Sequence, residues 1–162
     1  MIGSDTSRME ETIARQSTRV YRLCLSYVKN RQDAEDLMQE VFERYLRKPP
    51  VFHSEEHEKT WFLRVGANAA KSYLRSARLR HHSDSELPEI AVPEEDHALK
   101  LTVLDAVNSL STEKRACVYL FYYEERSIEQ IAKTLGMQSS TVKSHLHRAR
   151  LALAQKLEGI ER

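Results

Sequence analysis

Between Lys133 and Lys156 the sequence carries five cationic side chains (Lys133, Lys143, Arg148, Arg150 and Lys156), together with His145 and His147, and not one carboxylate. Cations without neighbouring acids suit a polyanion, because each can neutralise a phosphate with no competing ion pair. A second set, Arg64, Asn68, Lys71, Arg75 and Arg78, recurs at i, i+4, i+7, i+11 and i+14, which on a helix makes one polar, basic stripe. A stripe of that length matches a nucleic-acid backbone. Opposite in sign are Asp33, Asp36, Gln39, Glu40 and Glu43, on the polar side of a third segment. Chemistry of the bond-making kind is harder to find. His53, His57, His81 and His82 with neighbouring carboxylates would be the material for a metal hydrolase, but their spacing fits no metal-ligand motif. The four glycines form no phosphate-cradling loop, and no nucleophile stands beside a base. The expectation is a binding protein rather than an enzyme, with no metal, no cofactor and no small-molecule substrate.

These residues need helices to aim them. In Asp33 to Leu46 the apolar residues Ala34, Leu37, Met38, Val41, Phe42, Tyr45 and Leu46 fall at helical spacing, and Pro49 and Pro50 stop the pattern. Met9 to Lys29 precedes it as another helix, and Glu55 to Arg80 follows as a third, with Phe62, Val65, Ala69 and Tyr73 as its apolar stripe. The apolar run Ala116 to Tyr123 could be a buried strand by its length, but Ser111 as a cap and the helical neighbours favour helix. Further on, Ser127-Ile128-Glu129-Gln130 supplies a capping box ahead of Ile128, Ile131, Ala132 and Leu135. Gly136 then permits the positive backbone angle that ends this short helix. The next helix buries Val142, Leu146, Ala149, Leu153 and Leu157, and two helices joined by such a turn make a helix-turn-helix. The first turns of its second helix enter a major groove, which puts Ser140, Thr141, Lys143, Ser144 and His147 near base edges or phosphates and Arg148 on the backbone.

Charge divides the chain further. Residues 1–82 hold 15 Lys/Arg against 11 Asp/Glu, and residues 99–162 hold 10 against 7, while 83–98 carry six acids, two prolines and no Lys or Arg. Two basic modules joined by an acidic, extended tether are expected, the tether reaching roughly 50 Å at most. The fold class is therefore all-α, with two small helical domains, 10–82 and 99–158, a flexible linker over 83–98, and the helix-turn-helix in the second domain. No apolar run exceeds the eight residues Ala116 to Tyr123, and Met1 to Arg8 has no signal-peptide core, so no stable membrane insertion and a cytoplasmic location are expected. Cys24 and Cys117 lie far apart among apolar neighbours and read as buried free thiols.

Ile131-Ala132, Leu135-Gly136 and then Thr141-Val142-Lys143-Ser144-His145-Leu146-His147-Arg148-Ala149-Arg150 resemble the minus-35-reading domain of extracytoplasmic-function sigma factors. Gln138 stands where that family usually has a capping Ser, leaving Ser139 to take over, and Ser111 stands where a Pro is common. Asp33-Ala34-Glu35-Asp36-Leu37-Met38-Gln39-Glu40-Val41-Phe42 resembles the family's polymerase-binding helix, and the resemblance implies Asp36, Gln39 and Glu40 as the contact residues. Trp61-Phe62-Leu63-Arg64 and Asn68 resemble its minus-10-reading helices, with Ser72 where many members have Asp and a base-selecting loop near Arg78 to His82. Membership implies core RNA polymerase and promoter DNA as partners, an anti-sigma protein as a further candidate, and promoter-specific initiation of transcription as the function. A stand-alone helix-turn-helix regulator is the alternative; it has no use for an acidic polymerase-binding helix.

Overall fold

The computed structural model describes residues 2–80 and 105–161, so the tether expected over 83–98 lies outside the described residues. Every regular element among the described residues is a helix. The chain divides into two units, Met1–Leu87 and Pro88–Arg162.

In the first unit α1 (Ile2–Val28) begins seven residues ahead of the expected Met9. Residues 3–8 are exposed and carry no apolar period, so nothing in their pattern announces a helix, although Asp5 in the first turn favours one electrostatically. The corner into α2 (Arg31–Arg47) takes two residues. Lys29 adopts the left-handed region at φ 57°, and Asn30 then caps α2, its side-chain oxygen accepting from the amides of Gln32 at 2.9 Å and Asp33 at 3.3 Å. A helix α3 (Glu55–Arg80) follows the Pro49–Pro50 break, with the Ser54 hydroxyl accepting the His57 amide at 3.0 Å.

Burial sets the rotation of each helix. In α2, Ala34, Leu37, Val41, Phe42 and Tyr45 are buried as expected, while Met38 is half-buried and Leu46 exposed. In α3 the expected stripe of Phe62, Val65, Ala69 and Tyr73 is only one edge of the buried surface. Val65 and Tyr73 are half-buried, and the face extends through Leu63, Gly66, Ala67 and Ala70, because α3 packs on both α1 and α2. A Cβ at Gly66 would stand 3.4 Å from a Leu23 methyl and 3.8 Å from Val20, so α1 and α3 cross at close range over small residues. Cys24, in this core, has its thiol pushed up to about 12 by burial, with the Glu40 carboxylate adding to the effect.

One carboxylate is buried with them. Glu58, on the first turn of α3, accepts from Arg15 Nε and Nη2 at 3.0 Å each and from Gln16 Nε2 at 2.8 Å, and Arg19 in turn donates to Gln16 at 2.7 Å. This bidentate pair ties α1 to the start of α3 across more than forty residues of sequence.

In the second unit residues 105–108 are helical, and α4 (Thr112–Val118) follows. Ser111 occupies the cap position through its carbonyl, which accepts the Arg115 amide at 3.0 Å, but its hydroxyl makes no capping bond. The Arg115 side chain is buried and donates to the Leu110 carbonyl and, at 3.3 Å, to Thr112 Oγ1. Burial pulls this guanidinium down to about 10, which leaves it charged at neutral pH. The run Ala116 to Tyr123 is helical, as expected, but changes character midway: Tyr119–Tyr123 is a π turn, closed by the Glu124 amide donating to the Tyr119 carbonyl at 3.3 Å. The Ser127–Gln130 capping box is present in both directions, at 3.1 and 2.9 Å, and starts α5 (Ile128–Leu135). Gly136 ends it at φ 67°, and α6 (Ser139–Glu161) follows.

Two outcomes are expected. Glu58→Ala removes the acceptor of three hydrogen bonds and should lower the urea stability of the first unit by about 1–3 kcal/mol; an unchanged midpoint would make the pair ornamental. Both thiols are buried, so the native protein should resist iodoacetamide at pH 8 and take up two equivalents only in denaturant.

Candidate nucleic-acid interface

The start of α6 is fixed by backbone bonds. The amides of Thr141 and Val142 donate to the Gln138 carbonyl at 3.0 and 3.1 Å, so Gln138 keeps the cap position and Ser139, expected to replace it, is the first helical residue. With Val142, Leu146 and Ala149 buried, the 100° step per residue turns Ser140, Thr141, Lys143, Ser144, His147 and Arg148 outward, and all six are exposed. The buried face fades beyond: Leu153 is half-buried, and Leu157, expected inside, is exposed. No acid lies in the first turn of α6, so its positive dipole end is free to meet phosphate.

Tertiary contacts engage two of the side chains singled out in the sequence. His145 turns inward, its ring 15% exposed and Nε2 3.6 Å from Glu113 of α4. Arg150 leans on the π turn, Nε donating to the Tyr122 hydroxyl at 2.8 Å.

On α3, Arg64, Asn68, Arg75 and Arg78 are exposed and Lys71 is half-buried, all on the side away from the buried arc. The helix continues to Arg80, so the base-selecting loop expected near Arg78 to His82 has no loop in its described part; residues 81 and 82 lie outside the described residues. An aromatic group stands instead at the other end of this helix. Phe52, in the α2–α3 connection, lies 5.9 Å from Trp61 and from Phe62, 6.3 Å from Tyr45 and 5.6 Å from His57 between ring centroids. Phe52 and Trp61 are both half-exposed. The sequence signal was present in Phe52, Trp61 and Phe62, but only folding of the Pro49–Ser54 connection brings Phe52 to the rings on α3. His53 and His57 stack on one another at 5.5 Å, with the His53 amide donating to His57 Nδ1 at 3.2 Å. No group of three metal-ligating side chains occurs among the described residues.

The acidic face divides. Asp36, Gln39, Glu40 and Glu43 are exposed, whereas Asp33 turns toward the bundle and accepts from the Tyr73 hydroxyl. Burial first, and Asp33 second, raise the Tyr73 pKa. Internal partners are few and weak: Gln32 donates to Asp36 at 3.1 Å, and Arg44 lies 3.8 Å from Glu40 at the surface. An open groove of about 370 Å³ adjoins this face, lined by Ser17, Thr18, Tyr21, Glu35, Met38 and Gln39.

Residues 12–80 match the family described as Sigma-70 region 2, and residues 100–153 match Sigma-70, region 4. The RNA polymerase sigma factor SigV of Bacillus subtilis is 31% identical over 130 residues, covering 80% of this chain and 78% of the relative. The ECF RNA polymerase sigma factor SigL of Mycobacterium tuberculosis is 34% identical over 146 residues, covering 86% and 82%. Among solved structures, the sigma factor RpoE of Bartonella quintana, crystallised with the anti-sigma factor NepR, has the same fold at a TM-score of 0.74, with 22% identity and coverage of 96% and 97%. With both sigma regions present in one chain and relatives of this identity, the chain belongs to the extracytoplasmic-function group of sigma-70 RNA polymerase sigma factors.

Proposed function

We infer that this sigma factor binds core RNA polymerase through α2 and carries it to promoters through α3 and α6. One observation carries the reading: a single chain presents an exposed acidic helix face together with two exposed, basic or acid-free helix faces. A stand-alone regulator would need α6 alone. In the proposed division of labour, residues 10–82 engage polymerase and the melted minus-10 strand, and residues 99–158 read duplex minus-35 DNA. The segment 83–98 joins them.

The polymerase contact is assigned to Asp36, Gln39 and Glu40; the two carboxylates have few and weak partners among the described residues and so suit a basic partner helix. Duplex reading is assigned to Ser140, Thr141, Lys143, Ser144 and His147, with Arg148 on the backbone, since a recognition helix offers its first turns to base edges. Arg64, Asn68, Lys71, Arg75 and Arg78 run along a helix too long to insert end-on and suit a separated strand. The half-exposed Phe52 and Trp61 lie at the start of that same helix. They supply π faces on which unpaired bases can stack, as single-strand sites require. The polymerase makes the phosphodiester bonds, and this chain supplies position, working in the cytoplasm alongside it. Like RpoE, which is held by NepR in its crystal structure, the protein is expected to have an anti-sigma partner.

Reversing Asp36 and Glu40 to Lys should weaken core binding by about tenfold or more without altering the helical circular dichroism. Retention of wild-type affinity in a fluorescence titration would overturn the assignment. Permanganate footprinting separates the two DNA roles. Asn68→Ala holoenzyme should protect minus-35 DNA yet open the minus-10 region poorly, whereas Lys143→Ala should lose about 1–3 kcal/mol of promoter binding. Strand opening impaired by Lys143→Ala and untouched by Asn68→Ala would reverse the roles.

A further inference from the structure

The π turn and Arg150 meet at a spot that none of the assigned contacts uses. Tyr119–Tyr123 departs from α geometry, and Glu125, two residues beyond it, adopts φ 52°, unusual for a residue with a side chain. Such departures concentrate where a side chain must be aimed. Here they bring Phe121 and Tyr122 to α6. The Arg150 Nε donates to the Tyr122 hydroxyl at 2.8 Å, and the guanidinium carbon lies 5.3 Å from the Phe121 centroid and 5.8 Å from that of Tyr122. Both Arg150 and Tyr122 are exposed.

This arrangement holds a cation without neutralising it. Among the described residues Arg150 has no carboxylate partner, and only its Nε is spent. The two terminal amino groups are left, and that edge of a guanidinium matches two oxygens of one phosphate. Lys143, His147 and Arg150 follow one another at i, i+4 and i+7, so Arg150 prolongs the outward face of α6 along one flank. A pinned guanidinium also loses less side-chain freedom on binding than a free one.

We propose that Arg150 binds a phosphate of duplex DNA, with Tyr122 as its positioning residue, so that the π turn forms the rim of the minus-35 interface. The inference rests on the reading of the second unit as a duplex reader and extends it further along α6 and to Tyr122, which lies outside the helix-turn-helix.

A methylphosphonate scan tests it, using holoenzyme on a minus-35 duplex neutralised one phosphate at a time. In wild type, one position on the flank reached by α6 should cost several-fold in affinity. In Arg150→Gln that penalty should vanish while the others persist, and the slope of log affinity against log salt should fall by about one. Tyr122→Phe should keep the salt slope, because the charge remains, and lose part of the penalty at the same phosphate. An Arg150→Gln scan identical to wild type overturns the proposal. So does a lowered melting temperature with every phosphate weakened equally, the signature of a mere strut. Weakened binding to core polymerase with unchanged duplex affinity would mean that Arg150 serves an acidic protein surface instead. Arg148→Gln, at the residue assigned to the backbone, separates the levels of failure. If it erases its own phosphate and Arg150→Gln erases none, only this inference falls; if no phosphate matters in wild type, the duplex reading falls with it.

Discussion

The close crossing of α1 over α3 governs the first unit. Because Gly66 has no side chain and Ala67 and Ala70 have only methyls, Leu23 and Val20 can seat directly on the α3 backbone. That contact fixes the rotation of α3 about its axis. Arg64, Asn68, Arg75 and Arg78 face water because the opposite side is committed to α1 and α2. Burying a small unit of this size leaves little stability to spare, so the Glu58 pair at the head of α3 does more than decorate it. A carboxylate accepting three hydrogen bonds from α1 sets where along α1 the crossing occurs.

The second unit solves the same problem with backbone geometry. The helices ahead of α6 are short, and each corner is specified by one residue: the Arg115 guanidinium gripping the end of the preceding turn, the Ser127 box, the left-handed Gly136. Buried Arg115 stays charged and satisfied by a carbonyl and a hydroxyl, which is tolerable only because the bonds are local and well aligned. The result is that the first turn of α6 is anchored on the Gln138 carbonyl and that its outward residues, Arg148 and Lys143 included, have no partner of opposite charge among the described residues.

Much of this is legible in the sequence, and the parts that are not share a cause. The period of α2 and the signals at Ser127 and Gly136 are local, so helix existence, the helix-turn-helix and the outward residues of α6 follow from pattern alone. Small residues carry no hydropathy signal, which hides the Gly66–Ala70 side of α3 and makes its apolar stripe look narrower than the buried surface. Glu58 reads as a first-turn acid until Arg15 and Gln16, forty-odd residues away in the chain, close on it. His145 and Arg150 stand beside Lys143 in the sequence with nothing to set them apart from it as phosphate partners, but one turns inward to Glu113 and the other is captured by Tyr122. The aromatic connection through Phe52 is invisible for the same reason: a proline-broken segment has no period, and its meaning lies in what it packs against.

The burial of both cysteine thiols has a consequence for how this protein meets an oxidant. The chain has two cysteines, and each lies in a core; the Cys24 thiol is held protonated far above cellular pH, and sulfenic acid or disulfide chemistry begins with a thiolate. An oxidant in the cell therefore meets no cysteine thiol exposed on the native fold.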